Sequence, residues 1–481
     1  MHPTLSRREL FVPAARTRPP AIAAPRPILS AEAHVLARAT FGATPAALAE
    51  LQTHGLETWL EQQLDPVAID DSAFDALQAT VAVPTNNSAA DIRLLARAVA
   101  SKRHLAARMT HFLNNHFSTN RGDTVAISET LETELFAKRC FDRFSTLLIA
   151  SAKSPAMIDF LDSASNIAGS PNENYARELM ELHTLGVTAG YTEIDVREVA
   201  KVFTGWSRVN VAVSGVVSYS YFRFYPARHE PGPKSISLGW STPGFTGNAG
   251  VNEGLSLLTF LANHPATAAR ITDKLCKYFV NDQPPAGLLA RVLQVFNATG
   301  GSLKDCVRAI FSDAEFATTA TAKAKVHDGF EMVANVARRL GFPTLNYTQL
   351  SARVGLLRCL PHQNPVPTGY PELGPDWQGA GNVLSRWDFA YDLANDTVGG
   401  AIVPWSTLLG VTPPTTGAGY VTPLLARLCD SEVPATTVTA LTVFMDARLQ
   451  GLPANPTWTQ VRPAARALLS MILRLPESQL H

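Results

Sequence analysis

One local pattern recurs along this chain and limits what it can become: apolar residues at helical spacing, bounded by helix-starting and helix-ending residues. Ser30 stands where it can cap a helix running to about Thr40. Thr44-Pro45 sets a cap before a proline at the first helical position, and Gly55 can close that helix. Longer apolar-periodic stretches cover residues 91–117 and 129–152. The pattern returns at 253–263, 266–279, 286–297, 303–311, 328–340, 349–360, 382–395, 433–450 and 461–475. The fold class this predicts is mainly α, a large multi-helix body. One interval breaks the rule. Residues 209–213 and 217–225 alternate with period two, are β-branched and aromatic, and flank Ser214-Gly215, which predicts a β-hairpin insertion. Two long irregular stretches complete the plan, 226–239 and 361–381, both rich in Pro and Gly.

The 481 residues are 46% hydrophobic and 17% charged, against roughly 25% charge in an average chain. That excludes disorder over most of the length and supports a large apolar core. Lys plus Arg equals Asp plus Glu at 41 each, so nothing marks a nucleic-acid or anionic-membrane surface. No run of ~18 apolar residues is present to span a bilayer. The five cysteines are scattered and form no C-x-x-C pair, which points to buried thiols in a reducing, cytoplasmic setting. Residues 6–11, Ser-Arg-Arg-Glu-Leu-Phe, outline a twin-arginine export signal. Pro13, Arg16, Arg18, Pro19 and Pro20 then interrupt the apolar run such a signal needs. Residues 1–26 therefore read as a disordered leader, and 27–481 as a single helical domain carrying the hairpin and loop at 207–239.

P-loop, dinucleotide-fold, H-E-x-x-H and G-x-S-x-G signatures are absent. What remains is a set of polar residues on faces that should be apolar. In residues 172–186, Asn172 can cap a helix and Gly186 can end it. At 100° per residue, His183 and Glu178 fall on the arc marked by Tyr175, Leu179, Met180, Leu182 and Leu185. Asn174, Glu178 and Glu181 form one stripe along its edge. A carboxylate among leucines costs several kcal/mol unless it is paired, metal-bound or protonated. Glu178 is therefore expected to have a partner, either a metal or imidazole shared with His116 or His183, or an arginine such as Arg177. After a turn at Ala189-Gly190, residues 192–195 form a capping box, and Asp195 and Glu198 lie near the inner face of the next helix. A short link packs these two helices antiparallel. In residues 108–117, His116 falls on the apolar side, whereas His104, His111 and Asn115 share the polar side.

Two inward histidines and inward carboxylates suit a metal site in a helical bundle, or a His–Glu acid–base pair. The candidate catalytic residues are Glu178, His183, His116, Asp195 and Glu198. The candidate substrate-binding residues are Asn174, Arg177, His229 and Lys234. Glu178, His183 and His116 are the candidate ligands of a divalent metal serving hydrolysis or oxidation. The same residues can equally make a structural network in a non-catalytic scaffold or binding protein.

These segments carry a resemblance. The chain resembles bacterial proteins grouped as domain-of-unknown-function family 1800. It shares Asn115-His116-Phe117, the whole 172–186 run, Gly190 through Trp206, residues 229–234 with the pattern H-x-x-G-x-K, and F-G-A-T at 41–44. It departs at 367–371, where Pro-Thr-Gly-Tyr-Pro stands in place of the family's P-x-x-V-x-G-W. The resemblance implies a largely helical fold and, in many relatives, export; it implies no activity or cofactor.

Overall fold

The Ser30 hydroxyl accepts the Ala33 N–H at 3.0 Å and starts helix α1 (Ala31–Ala39). Thr44 does the same for α2 (Pro45–His54), and Gly55 ends it at φ +75°, a backbone region that favours glycine. The structure, a computed structural model, describes residues 30–81, 88–124, 126–211, 219–316, 318, 325–429 and 432–480. The leader falls outside the described residues. No helix among those described is long and apolar enough to cross a membrane.

The stretch read as one helix over 91–117 is two, α3 (Ala89–Ala100) and α4 (His104–His116). Distant side chains cause the break. The Asp71 carboxylate accepts the Ser101 hydroxyl at 2.6 Å and the Lys102 N–H at 3.0 Å. Gln63 Oε1 takes the first N–H of α4, that of His104, at 2.7 Å. These bonds satisfy the donors a helix start exposes, so the chain can turn between the helices. Residues 129–152 likewise divide into α5 (Ala126–Arg139) and α6 (Phe144–Ala152), where the Phe144 N–H bonds Gly301 O at 2.8 Å.

The 172–186 segment forms α7 (Asn174–Glu178), then widens into one π-helical turn over Leu179–His183. Thr184 Oγ1 donates to Leu179 O at 2.6 Å and the Gly186 N–H bonds Met180 O at 3.0 Å, closing the wide turn. The predicted capping box is present at the start of α8 (Glu193–Val202). Strands β1 (Trp206–Val211) and β2 (Tyr219–Phe224) pair antiparallel, Trp206 opposite Phe224, as the alternation predicts. In the first irregular stretch, the two-residue strand β3 (Lys234–Ser235) pairs antiparallel with β4 (Ser241–Thr242), just beyond it. Then come α9 (Val251–Ala262), α10 (Pro265–Phe279) and, later, α11 (Gly329–Leu340), among further helices.

The apolar core is divided in two. One cluster takes residues from Val35 to Phe316; the other joins Phe41 and α3 to residues 326–473. Helix α4 lies at the seam. Leu105, Met109, Phe112 and Leu113 enter the first cluster and Ala107 the second. Arg108, His111 and Asn115 occupy the remaining face, toward the second half of the chain.

Candidate functional site

His116 and His183 are both buried, as their places on apolar arcs predict, and their rings sit 6.3 Å apart. His116 Nε2 bonds the His183 carbonyl at 3.1 Å, so Nε2 carries the proton and Nδ1 is left without a partner. His183 Nε2 is also buried without a partner. Burial holds both imidazoles below their ordinary range, His183 at about 3, so both are neutral.

Glu178 does not join them. Among the described residues its carboxyl makes no hydrogen bond or ion pair, and the expected arginine partner is engaged elsewhere. Arg177 bonds Glu173 at 3.0 Å and Glu193 at 2.8 Å, tying α7 to α8. Burial, then the Glu181 charge, pushes the half-buried Glu178 carboxyl up to about 7. A neutral acid needs no counter-charge, which is how this carboxyl is tolerated. The antiparallel pair therefore meets through Arg177–Glu193 and Glu173–Arg197, not through 178–183.

The other predicted residues hold structural partners. Asp195 accepts from Thr192 and from Ser237 N–H and Oγ at 2.6 and 2.7 Å; despite burial, these bonds keep its carboxyl below the ordinary range. Glu198 pairs with Lys201 at 2.5 Å. The Asn174 N–H is taken by Asn172 Oδ1 at 2.9 Å. His229 and Lys234 converge on Glu253 of α9: Lys234 Nζ lies 2.8 Å and His229 Nε2 3.4 Å from its carboxylate, all three buried. The 226–239 loop is thus bolted to α9 by a buried ion pair.

A different set of groups converges at the seam. His111, on the polar face of α4, is 7% exposed because α11 covers it. The Tyr278 hydroxyl donates to Arg108 O at 3.1 Å, so its oxygen accepts the Nδ1–H of His111 at 3.1 Å. The tautomer follows: His111 Nε2 bears a lone pair. That nitrogen makes no hydrogen bond among the described residues and faces Asp328 Oδ2 at 3.9 Å. Asp328 caps α11, and Glu331 completes a capping box with it. The ligand atoms of His111, Asp328 and Glu331 lie within 4.8 Å of one another, the one such trio of His, Cys, Asp or Glu found among the described residues. Arg108 Nη1 bonds Glu331 Oε1 at 2.6 Å while its guanidinium stacks on Phe41 and Tyr278.

Electrostatics there are set by burial. Burial lowers His111 to about 4, so the ring is neutral. Burial, then the Glu331 charge, raises Asp328 to about 7. The trio lines a cavity of ≈ 30 Å³; His111 and Asp328 also line a neighbouring one of ≈ 10 Å³.

A second polar network lies deeper. His362 Nδ1 is 2.9 Å from Asp91 Oδ1, and its Nε2 is 3.0 Å from both Thr133 Oγ1 and Asn114 Oδ1. The order resembles an acid–base–hydroxyl relay. Thr133, however, is 1% exposed and its proton goes to Asn114. Arg121 closes the other Asp91 oxygen at 2.6 Å. Against the cost of burial, the hydrogen bond and charge of Asp91 raise the His362 pKa, and the two form a buried histidine–carboxylate lock.

The sequence reading missed His111, Asp328 and Glu331. The trace available was Asp328 and Glu331 at cap and third position before an apolar run, a pattern that says helix start and nothing of chemistry.

A family model described as "Protein of unknown function (DUF1800)" matches residues 34–480. The chain belongs to the DUF1800 family. Neither a curated protein nor a solved structure matches it. In this DUF1800 protein, residues 172–206 build a helix pair and its hairpin entry, and residues 229–234 build the bolt onto α9.

Proposed function

We propose that this chain is an enzyme with a divalent-metal centre at His111, Asp328 and Glu331, supporting metal-assisted hydrolysis. The observation that carries the reading is the bare Nε2 of His111, held toward two carboxylates by the Tyr278 hydroxyl. A bound histidine ligand characteristically gives its other N–H to such a partner. Metal–ligand bonds of about 2.1 Å span ligand atoms up to roughly 4.2 Å apart. The 3.9 Å between His111 and Asp328 falls inside that span, and Glu331 closes the set by a small side-chain shift. One nitrogen and two carboxylates suit zinc or manganese. A cation there would activate a bound water; the chain's own groups orient it, balance its charge and exclude bulk solvent.

A second reading has its own support. The Arg108–Glu331 pair already neutralises one carboxylate, so the trio also fits a structural lock across the seam. Equilibrium dialysis against zinc and manganese, followed by elemental analysis, separates the two. The metal reading expects one equivalent bound by the wild type and none by Asp328→Asn. A wild type that binds neither metal leaves the lock.

A further inference from the structure

The pocket is too small to be the whole of a working site. Cavities of ≈ 30 and ≈ 10 Å³ hold a water or two, since one water needs roughly 10–15 Å³ and small-molecule sites run to hundreds. Three walls are helices, α4, α10 and α11, whose other faces are packed into the core. The fourth is irregular: Pro361, Tyr370, Pro371, Glu372 and Trp377 all line it. Residues 361–377 contain only one short 3-10 turn, Gly374–Trp377. The two ends are anchored, His362 in its buried lock with Asp91 and Trp377 in the second apolar cluster; between them, residues 365–376 are fastened mainly by polar ties. Asn115 of α4 clamps the Tyr370 backbone at 2.7 and 3.1 Å. The Gly374 N–H bonds Asp282 at 2.7 Å. Glu372 gives most: its carboxylate meets Lys274 Nζ of α10 at 2.6 Å, and its carbonyl accepts from Lys325 Nζ at 3.2 Å. A wall held by a few hydrogen bonds opens far more readily than one held by a packed core.

The charges point the same way. A dication at the trio, added to Arg108, leaves the two carboxylates one negative charge short; Lys325 is already neutralised by Asp282 at 3.0 Å, which leaves Lys274, held by Glu372, as the cation an incoming anion can claim. We propose that residues 365–376 are a lid over the His111–Asp328–Glu331 pocket, held shut by Glu372, whose carboxylate occupies on Lys274 the place of the ligand's own anionic group. The ligand is a small molecule bearing a carboxylate or a phosphate. Its binding frees Glu372 and opens the lid. The proposal rests on the functional reading above for what lies beneath the lid, but its test does not use the metal.

Cys359 lines the smaller cavity and is 2% exposed, so its thiol reports opening. The four other cysteines are buried as well and report global unfolding. The full chain is exposed to methyl methanethiosulfonate under native conditions, and labelled cysteines are located by mass spectrometry. Glu372→Gln should speed labelling at Cys359 alone by about tenfold, the loss of one charge-assisted hydrogen bond. In the wild type, inorganic phosphate or acetate should speed it saturably, beyond sodium chloride at equal ionic strength; whichever acts names the anionic group. Lys274→Met should open the lid and abolish that anion response. Three results overturn the proposal: Glu372→Gln at the wild-type rate, phosphate and acetate no better than chloride, or all five cysteines accelerating together. If metal binding fails while the lid test succeeds, the functional reading falls and the lid stands.

Discussion

The helix pair over 172–206 and the seam between α4 and α11 are built from the same kinds of residue and end in opposite conditions. In the helix pair, nearly every charged group near the core has found a partner: Arg177 with Glu173 and Glu193, Asp195 with Ser237, Glu198 with Lys201. Glu178, the exception, is carried as a near-neutral acid. At the seam, the His111 lone pair and the Asp328 carboxyl face each other at 3.9 Å, and His111 Nε2 makes no hydrogen bond among the described residues. Satisfied polar groups make structure, and groups held unsatisfied near one another have capacity for chemistry. A motif rich in polar residues is thus a poor guide to where a site lies until each partner is known.

The largest expected effect tests the structural side. Glu253→Gln leaves the buried Lys234 charge without its partner and should cost roughly 3–5 kcal/mol in chemical denaturation. A cost below ~1 kcal/mol would mean that the loop is not bolted to α9 as described.

Next comes the contrast between histidines. His111→Ala should weaken zinc or manganese binding by more than ~100-fold, whereas His183→Ala should leave it unchanged. Titration calorimetry on the two variants breaks the comparison if the order is reversed. Tyr278→Phe should follow with a loss of about 10-fold, because the phenol oxygen that fixes the His111 tautomer is gone.

The smallest effect is at Glu178. Its folded pKa of about 7 lies above the ordinary 4.5, so the neutral form is favoured in the native state. That contribution to stability is fully present below about 4.5 and is lost as pH rises through about 7. Glu178→Gln removes the dependence. Its stability relative to wild type should therefore improve between pH 5 and pH 8, read as the shift in denaturation midpoint. An unchanged difference across that range would mean Glu178 has a cationic partner after all.

Local chemistry was legible in the sequence. Ser30, Thr44 and Thr192 cap where they stand because a hydroxyl three residues from an N–H needs nothing distant. The hairpin followed from alternation, and the burial of His116 and His183 from their place among apolar neighbours on one helix. The cut between α3 and α4 was not legible. It depends on Asp71 and Gln63, about 30 to 40 residues away in sequence.

His111 shows the same limit. On the helical wheel it shares a polar face with His104 and Asn115, and a polar face reads as solvent. Only the docking of α11, more than 200 residues later, turns that face into an interior. The sequence by itself determined that the chain is mainly helical, where several helices start and that residues such as His116 and His183 are buried, since those depend on neighbours within one or two turns. The tertiary structure decided which polar groups are satisfied and which are left facing each other, because a partner's identity is a matter of distance in space, and apolar periodicity carries no record of it.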